Sequence, residues 1–115
     1  MSRIEQVNST LQTEISKIVG VFESNKEGLV TITGVETSED LKNATIWVSV
    51  IGADAEAKIN ELRKYSSKIR HQLHARIKMR YIPYLTFRWD KSGEQAARIE
   101  QLLHQIESDR NKLDQ

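Results

Sequence analysis

Residues Arg63 to Arg80 read RKYSSKIRHQLHARIKMR, and this stretch limits what the chain can fold into more than any other. Ile59, Leu62, Ile69, Leu73 and Ile77 recur through it at helical spacing. At about 100° per residue they occupy about one quarter of a helix circumference, which predicts one buried face. Arg63, Lys64, Arg70, His71, His74 and Lys78 project onto a stripe about 120° wide on the polar side. The stretch holds seven of the 17 Lys and Arg and two of the three His, with no acid among them. Helix faces usually mix signs, because like charges one turn apart repel. An unbroken row of cations therefore points to a nucleic-acid backbone, where each phosphate contact releases counterions and adds affinity. Arg63, Lys64, Arg70, Lys78 and Arg80 are the expected backbone contacts, flanked by His71 and His74, with Arg76 and Arg88 secondary. Arg76 projects close to the buried side and is expected to snorkel to solvent.

The stretch is set in a chain of opposite charge. Elsewhere ten basic residues face 16 acidic ones, so a formal net charge of +1 conceals one cationic segment on an acidic body. A pI near 8.0 would not by itself suggest a nucleic-acid partner; only the distribution does.

Around this segment the pattern alternates between helical and strand periods. Ser2-Arg3-Ile4-Glu5 has the form of a capping box, and Ile4, Val7, Leu11, Ile15, Ile18 and Phe22 follow at steps of three or four. Leu29 to Thr37 and Lys42 to Ile51 are rich in Val, Ile, Thr and Trp and predict two strands joined as a hairpin through Ser38 to Leu41. In the first, Val30 and Ile32 share a face with Val35 only if Gly34 introduces a bulge. Trp47 alternates away from Ala44, Ile46, Val48 and Val50, as expected for cover on the far side of the sheet, with base stacking or a partner contact as alternatives. Asp54 is placed to cap the long helix, which is expected to run to about Met79. Pro83 opens a third strand in which Leu85, Phe87 and Trp89 alternate with Tyr84, Thr86 and Arg88. Asp90 and Ser92 precede a final amphipathic, acidic helix. The order predicts an α+β domain with a three-stranded mixed sheet and helices packed on one face.

Tyr65-Ser66-Ser67 interrupts the long helix. On a straight helix Ser66 would sit at the centre of the buried face, where its hydroxyl needs a partner. A break lets backbone and hydroxyl satisfy each other, so two helical segments are expected to meet within Tyr65 to Lys68.

Several classes of function find no support. With no Cys there is no thiolate metal site and no disulfide framework, which fits a reducing cytosol. The amino terminus lacks the apolar run of a signal peptide, and no 18 consecutive apolar residues predict a membrane span. There is no GxSxG and no phosphate-cradling glycine loop. His71 and His74 lack a third metal ligand nearby, and Ser38 and Asp40 fit local turn bonding. Neither a cofactor nor catalysis is expected.

The segments Thr31-Ile-Thr-Gly-Val35, Ser38-x-Asp40-Leu41-x-x-Ala44, Ile69-Arg70 and Pro83-x-Leu85-x-Phe87-x-x-Asp90-x-Ser92, in this order and spacing, resemble the ribosome-binding factor A family. The resemblance covers roughly residues 3 to 92 and implies a type II KH-like fold. It implies a monomeric cytoplasmic assembly factor for the small ribosomal subunit. Such a factor binds the immature subunit and its rRNA, and assists late maturation and 5′-end processing without catalysis. The family kinks its central helix at Ala-x-Gly, where this chain has Tyr65-Ser66-Ser67. The family's Asp-Pro-Arg after the first helix is replaced here by Ser24-Asn25-Lys26-Glu27. Residues 1 to 92 are read as the RNA-binding domain and residues 93 to 115 as a helix packed on it or extending from it. Two alternatives are a general binder of RNA or single strands, and a protein-interaction module using the far face of the sheet.

Overall fold

The computed structural model of the chain describes residues 1 to 92 together with 105 and 106. The elements are α1 (Arg3–Glu23), β1 (Leu29–Thr37), β2 (Asn43–Ile51), α2 (Ala55–Lys64), α3 (Ser66–Arg76) and β3 (Tyr84–Trp89). The final helix expected beyond Ser92 falls outside the described residues.

The sheet runs in the order β1-β2-β3. β1 and β2 pair antiparallel, and β2 pairs parallel with β3. A parallel neighbour cannot be reached by a tight turn, so the chain must cross over the sheet. α2 and α3 make that crossing. All three helices press on one sheet face. There Leu11 and Ile15 of α1, Leu62 of α2 and Leu73 of α3 meet Ile46 and Val48 of β2 and Phe87 of β3, each fully buried.

Local signals in the sequence place most boundaries. The Ser2 hydroxyl accepts from the Glu5 amide at 3.1 Å, and Asp54 caps α2 by accepting from the Ala57 amide at 3.2 Å. Both take up amides that a helix start leaves without partners. The bulge in β1 is present: Ile32 opposes Val48 and Val35 opposes Ile46, with the register shifting between Ile32 and Gly34. The extra residue returns Val35 to the core side. At the entry to β1, Gly28 has φ +84°, and a Cβ there would stand 2.7 Å from the Cβ of Ala53, so only glycine fits.

The long helix breaks at a single residue, Tyr65, with φ −97° and ψ 9°. The expectation of two segments meeting within Tyr65 to Lys68 holds, but its anticipated mechanism does not. No side chain caps the start of α3. The Tyr65 ring instead packs on Phe22 of α1 with centroids 4.9 Å apart. Around it the end of α1 is tied to α2 by the buried pair Glu23 and Lys58, 2.8 Å apart, and by Lys26 with Glu61. The corner is thus held by α1, with no contribution from a serine cap.

The helix also stops earlier than its apolar spacing suggested. α3 ends at Arg76, and Ile77 is already extended at φ −121°, ψ 130°. Ile77 keeps the four-residue step from Leu73, but with Ile77 buried and Met79 half-buried while Lys78 and Arg80 are exposed, the pattern from there has a period of two, which suits extended chain and not a helix. Ile82 and Pro83, both buried, then anchor the entry to β3.

Two consequences can be measured. Phe87→Ala and Leu73→Ala should each cost about 2–5 kcal/mol in urea unfolding, because both side chains are fully enclosed. The second concerns Thr33, the residue beside the bulge, whose hydroxyl donates to Asp90 Oδ2 at 2.6 Å. Hydrogen bonds from the Ser92 hydroxyl, the Thr33 hydroxyl and the Ser92 amide hold the Asp90 carboxyl below its usual pKa. A lowered pKa means stability that is present above the unfolded value, about 3.9, and lost as pH falls through the folded one. Thr33→Val should therefore destabilise the protein at pH 7, and its deficit should shrink as the pH falls below the unfolded value of about 3.9.

Candidate nucleic-acid interface

The predicted cations do not form one stripe. The break at Tyr65 and the early end of α3 separate them into groups with different surroundings.

Arg63, on the last turn of α2, donates from Nε to the Phe87 carbonyl at 3.2 Å and from Nη1 to Asn60 Oδ1 at 3.2 Å. It braces α2 against β3. Lys64, beside it, is exposed. Arg70 of α3 is half-buried and grips the Ile82 carbonyl with two donors, Nε at 2.9 Å and Nη2 at 2.8 Å. His71 and His74 are exposed on α3. Among the described residues no three of His, Cys, Asp and Glu lie together as a metal site. Arg76 turns toward α1 and pairs with Glu14 at 3.3 Å, fitting its expected position near the buried side. Burial opposes ionisation of Glu14, but hydrogen bonds from Arg76 and Lys17 outweigh it and hold its carboxyl below the usual range. Arg88 stands opposite Trp47 in the parallel register, on the sheet face turned away from the helices.

Lys78 and Arg80 lie off the helix, in the segment between α3 and β3, and this placement brings them to a cleft of about 620 Å³. Four separate pieces of chain converge on it. The start of α1 contributes Arg3, the β1–β2 connection Lys42, α3 Arg70, and the segment before β3 Lys78 and Arg80. Tyr81 and Tyr84 line it as well. One acid is present, Asp40, whose Oδ1 accepts from the Ser38 hydroxyl at 2.6 Å and the Lys42 amide at 3.0 Å. Those two bonds hold its carboxyl below its ordinary pKa. Asp40 is therefore ionised, yet the oxygen that shapes the turn is occupied by that turn. Ser38 and Asp40 do the local bonding expected of them.

Sequence reasoning missed Arg3, Lys42, Tyr81 and Tyr84. Arg3 and Lys42 carry no local signal, because 39 positions of chain separate them. The tyrosines did leave one, since Tyr81 directly follows the cationic run and Tyr84 comes three residues later. Aromatics among cations are a usual composition for single-strand binding surfaces.

Trp47 is half-buried on the face turned from the helices and lies against Gly34, where a Cβ would come within 3.8 Å of its Cδ1. Its role as cover for that face follows from this contact. No helix among the described residues is long and apolar enough to cross a membrane.

An α-β-β-α-α-β chain with its helices on one face of a mixed three-stranded sheet is a KH-like domain, here with a cationic cleft and no GXXG loop among glycines 20, 28, 34, 52 and 93. The sequence pattern of the ribosome-binding factor A family matches residues 3–103. The ribosome-binding factor A of Trichlorobacter lovleyi is 40% identical over 107 residues, covering 90% of this chain and 87% of that protein. The chain belongs to the ribosome-binding factor A family. Its fold is similar to the crystal structure of the Thermus thermophilus factor, with a TM-score of 0.69 at 20% identity over 76% of this chain and 96% of that one. A second similarity is to Thermus thermophilus coordinates fitted into an electron-microscopy map of a 30S complex with that factor. There the TM-score is 0.64 at 20% identity, over 73% of this chain and 91% of that one.

Arg70 has a structural duty that a lysine cannot perform. Arg70→Lys keeps the charge but loses the two-pronged bond to the Ile82 carbonyl, and should cost about 1–2 kcal/mol in urea unfolding.

Proposed function

We propose that this protein is an assembly factor that binds the immature small ribosomal subunit and assists late maturation of its rRNA, including processing at the 5′ end, without catalysis. The observation that carries this reading is the meeting of Arg3, Lys42, Arg70, Lys78 and Arg80 on one concave surface. Arg70 also braces the wall, but the Arg3, Lys42, Lys78 and Arg80 side chains come from distant parts of the chain, and cations brought together repel unless an anion joins them. A phosphate backbone laid along the cleft supplies that anion. The similar Thermus thermophilus factor, described in a complex with 30S, supports the choice of the small subunit as partner.

In this reading Arg3, Lys42, Lys78 and Arg80 touch phosphates directly. Arg70 adds charge from within the wall of the cleft. Arg63, Lys64, His71 and His74 extend the positive field along α2 and α3 and steer the approach. Arg76 is committed to Glu14 and Arg88 lies on the other sheet face, so both are peripheral. Residues 1 to 92 form the binding domain, and the protein acts as a cytoplasmic monomer. A general RNA binder would use the same cleft and would not distinguish immature from mature subunits.

Co-sedimentation tests the reading. The wild type should pellet with immature small subunits and much less with mature ones. Reversing Lys42, Lys78 and Arg80 to Glu together should abolish that association and leave unfolding by urea unchanged, since all three side chains are exposed. On a single-stranded probe, the loss of three phosphate contacts should flatten the salt dependence by about two log units per decade. Undiminished pelleting by the triple variant would place the interface elsewhere.

A further inference from the structure

We propose that the cleft takes RNA as a single strand, with unpaired bases stacked on the rings of Tyr81 and Tyr84. The proposal rests on the reading of this cleft as the RNA face and adds which form of RNA it accepts and which side chains select it.

Two observations point to these tyrosines. First, both rings are in water: Tyr81 is 70% exposed and Tyr84 63%, although they flank Ile82 and Pro83, which are buried. The chain turns its two aliphatic residues inward here and leaves both aromatics outside, at the rim of a cationic cleft. Second, each ring already has a guanidinium beside it. Arg70 lies 4.1 Å from the Tyr84 centroid and Arg80 lies 5.6 Å from that of Tyr81.

The Tyr84 platform is mounted on fixed parts. Its amide donates to the Lys42 carbonyl at 2.9 Å, which registers it at the start of β3. The Arg70 guanidinium behind it is locked by two bonds to the Ile82 carbonyl. A cation on one face of the ring leaves the other for a base, and the base loses little freedom in joining a ring that is already held. Tyr81 sits three residues earlier, in a bend of the chain between Arg80 and the buried Ile82. Arg3, Lys42 and Lys78 line the same cleft and supply charge for the phosphates of a strand whose bases stack there.

Single-stranded RNA offers base faces and duplex RNA does not. In a duplex the faces are taken up by neighbouring pairs, and the deep major groove is too narrow for side chains to enter. Every base has a π-face, so stacking tolerates sequence, and the cleft should show only modest base preference.

Fluorescence anisotropy on the full chain tests this, using an end-labelled ten-nucleotide A/U single strand and the same strand annealed to its complement. The single strand should bind at least about tenfold more tightly than the duplex. Tyr81→Ala and Tyr84→Ala should each weaken single-strand binding by about 5- to 100-fold, while Tyr→Phe at either position stays within about twofold of wild type. Stacking contributes no counterion release, so the Ala variants should keep the wild-type salt slope. Tyr81 lies outside every helix and strand, so a melting curve matching wild type makes its Ala variant the decisive one. Equal affinity for duplex, or unweakened binding by Tyr81→Ala and Tyr84→Ala, overturns the proposal. If the Lys42, Lys78 and Arg80 reversals still flatten the salt slope in that case, the cleft holds backbone only. If they too have no effect, the assignment of the cleft as the RNA face fails with it.

Discussion

The fold depends on one broken residue. Tyr65 leaves the helical region for one step, and everything downstream follows from the change of direction. A straight helix from Ala55 onward could lay only one stripe on the sheet, and would carry its second half past the sheet edge. With the break, Ile59 and Leu62 of α2 and Ile69 and Leu73 of α3 all reach the same core. The chain can then return to place β3 parallel to β2, a pairing that requires a crossover of this length. The break is stabilised from outside, by the Tyr65 and Phe22 rings and by the charges that join α1 to α2. The Glu23 and Lys58 pair is nearly enclosed, and such pairs cost desolvation for each partner. Removing one partner alone would leave a buried charge, so the pair works more to fix how α1 meets α2 than to add net stability.

The cleft is a product of the same geometry. α3 ends where its chain must descend to β3, and the segment that makes the descent turns Lys78 and Arg80 outward beside the β1–β2 connection. Arg70 links the two, holding the carbonyl of Ile82 and the face of Tyr84 at once. One arginine thus sets the wall of the cleft, orients an aromatic ring and adds positive charge. Its guanidinium can do all three because it is planar, always ionised and presents several donors in a fixed fork. Arg63 has a similar brace on the Phe87 carbonyl. Charge and architecture are therefore not separate features in this domain, and a cation counted from sequence as free for a ligand is in two cases already part of the frame.

The two sheet faces have different histories. The helix-covered face is aliphatic and close-packed around Phe87. The other carries Trp47 against Gly34, with Thr45, Thr86 and Arg88 around it. The bulge beside Gly34 keeps both faces consistent, since without it Val35 would point to the wrong side. It also sets Thr33 where its hydroxyl reaches Asp90 beyond the end of β3, joining the first strand to the last across the middle one.

Much of this was legible in the sequence. Apolar spacing gave α1 and the two buried faces of the central helices, alternation gave the strands, and Ser2, Asp54, Gly34 and Pro83 marked boundaries through local backbone chemistry. The concentration of cations between Arg63 and Arg80 was equally plain. What sequence could not resolve was where those cations face. Ile77 follows Leu73 at a helical step of four, so the apolar spacing ran on past the true end of α3, which was decided by the reach needed to enter β3. Nor could local pattern show that Arg63 and Arg70 would be drawn to backbone carbonyls, or that Arg3 and Lys42 would join Lys78 and Arg80. Composition and periodicity are set by neighbours along the chain and determine which elements form. A binding surface is set by neighbours in space, and here those exist only after the break at Tyr65 has brought α3 and the start of β3 against the β1–β2 connection.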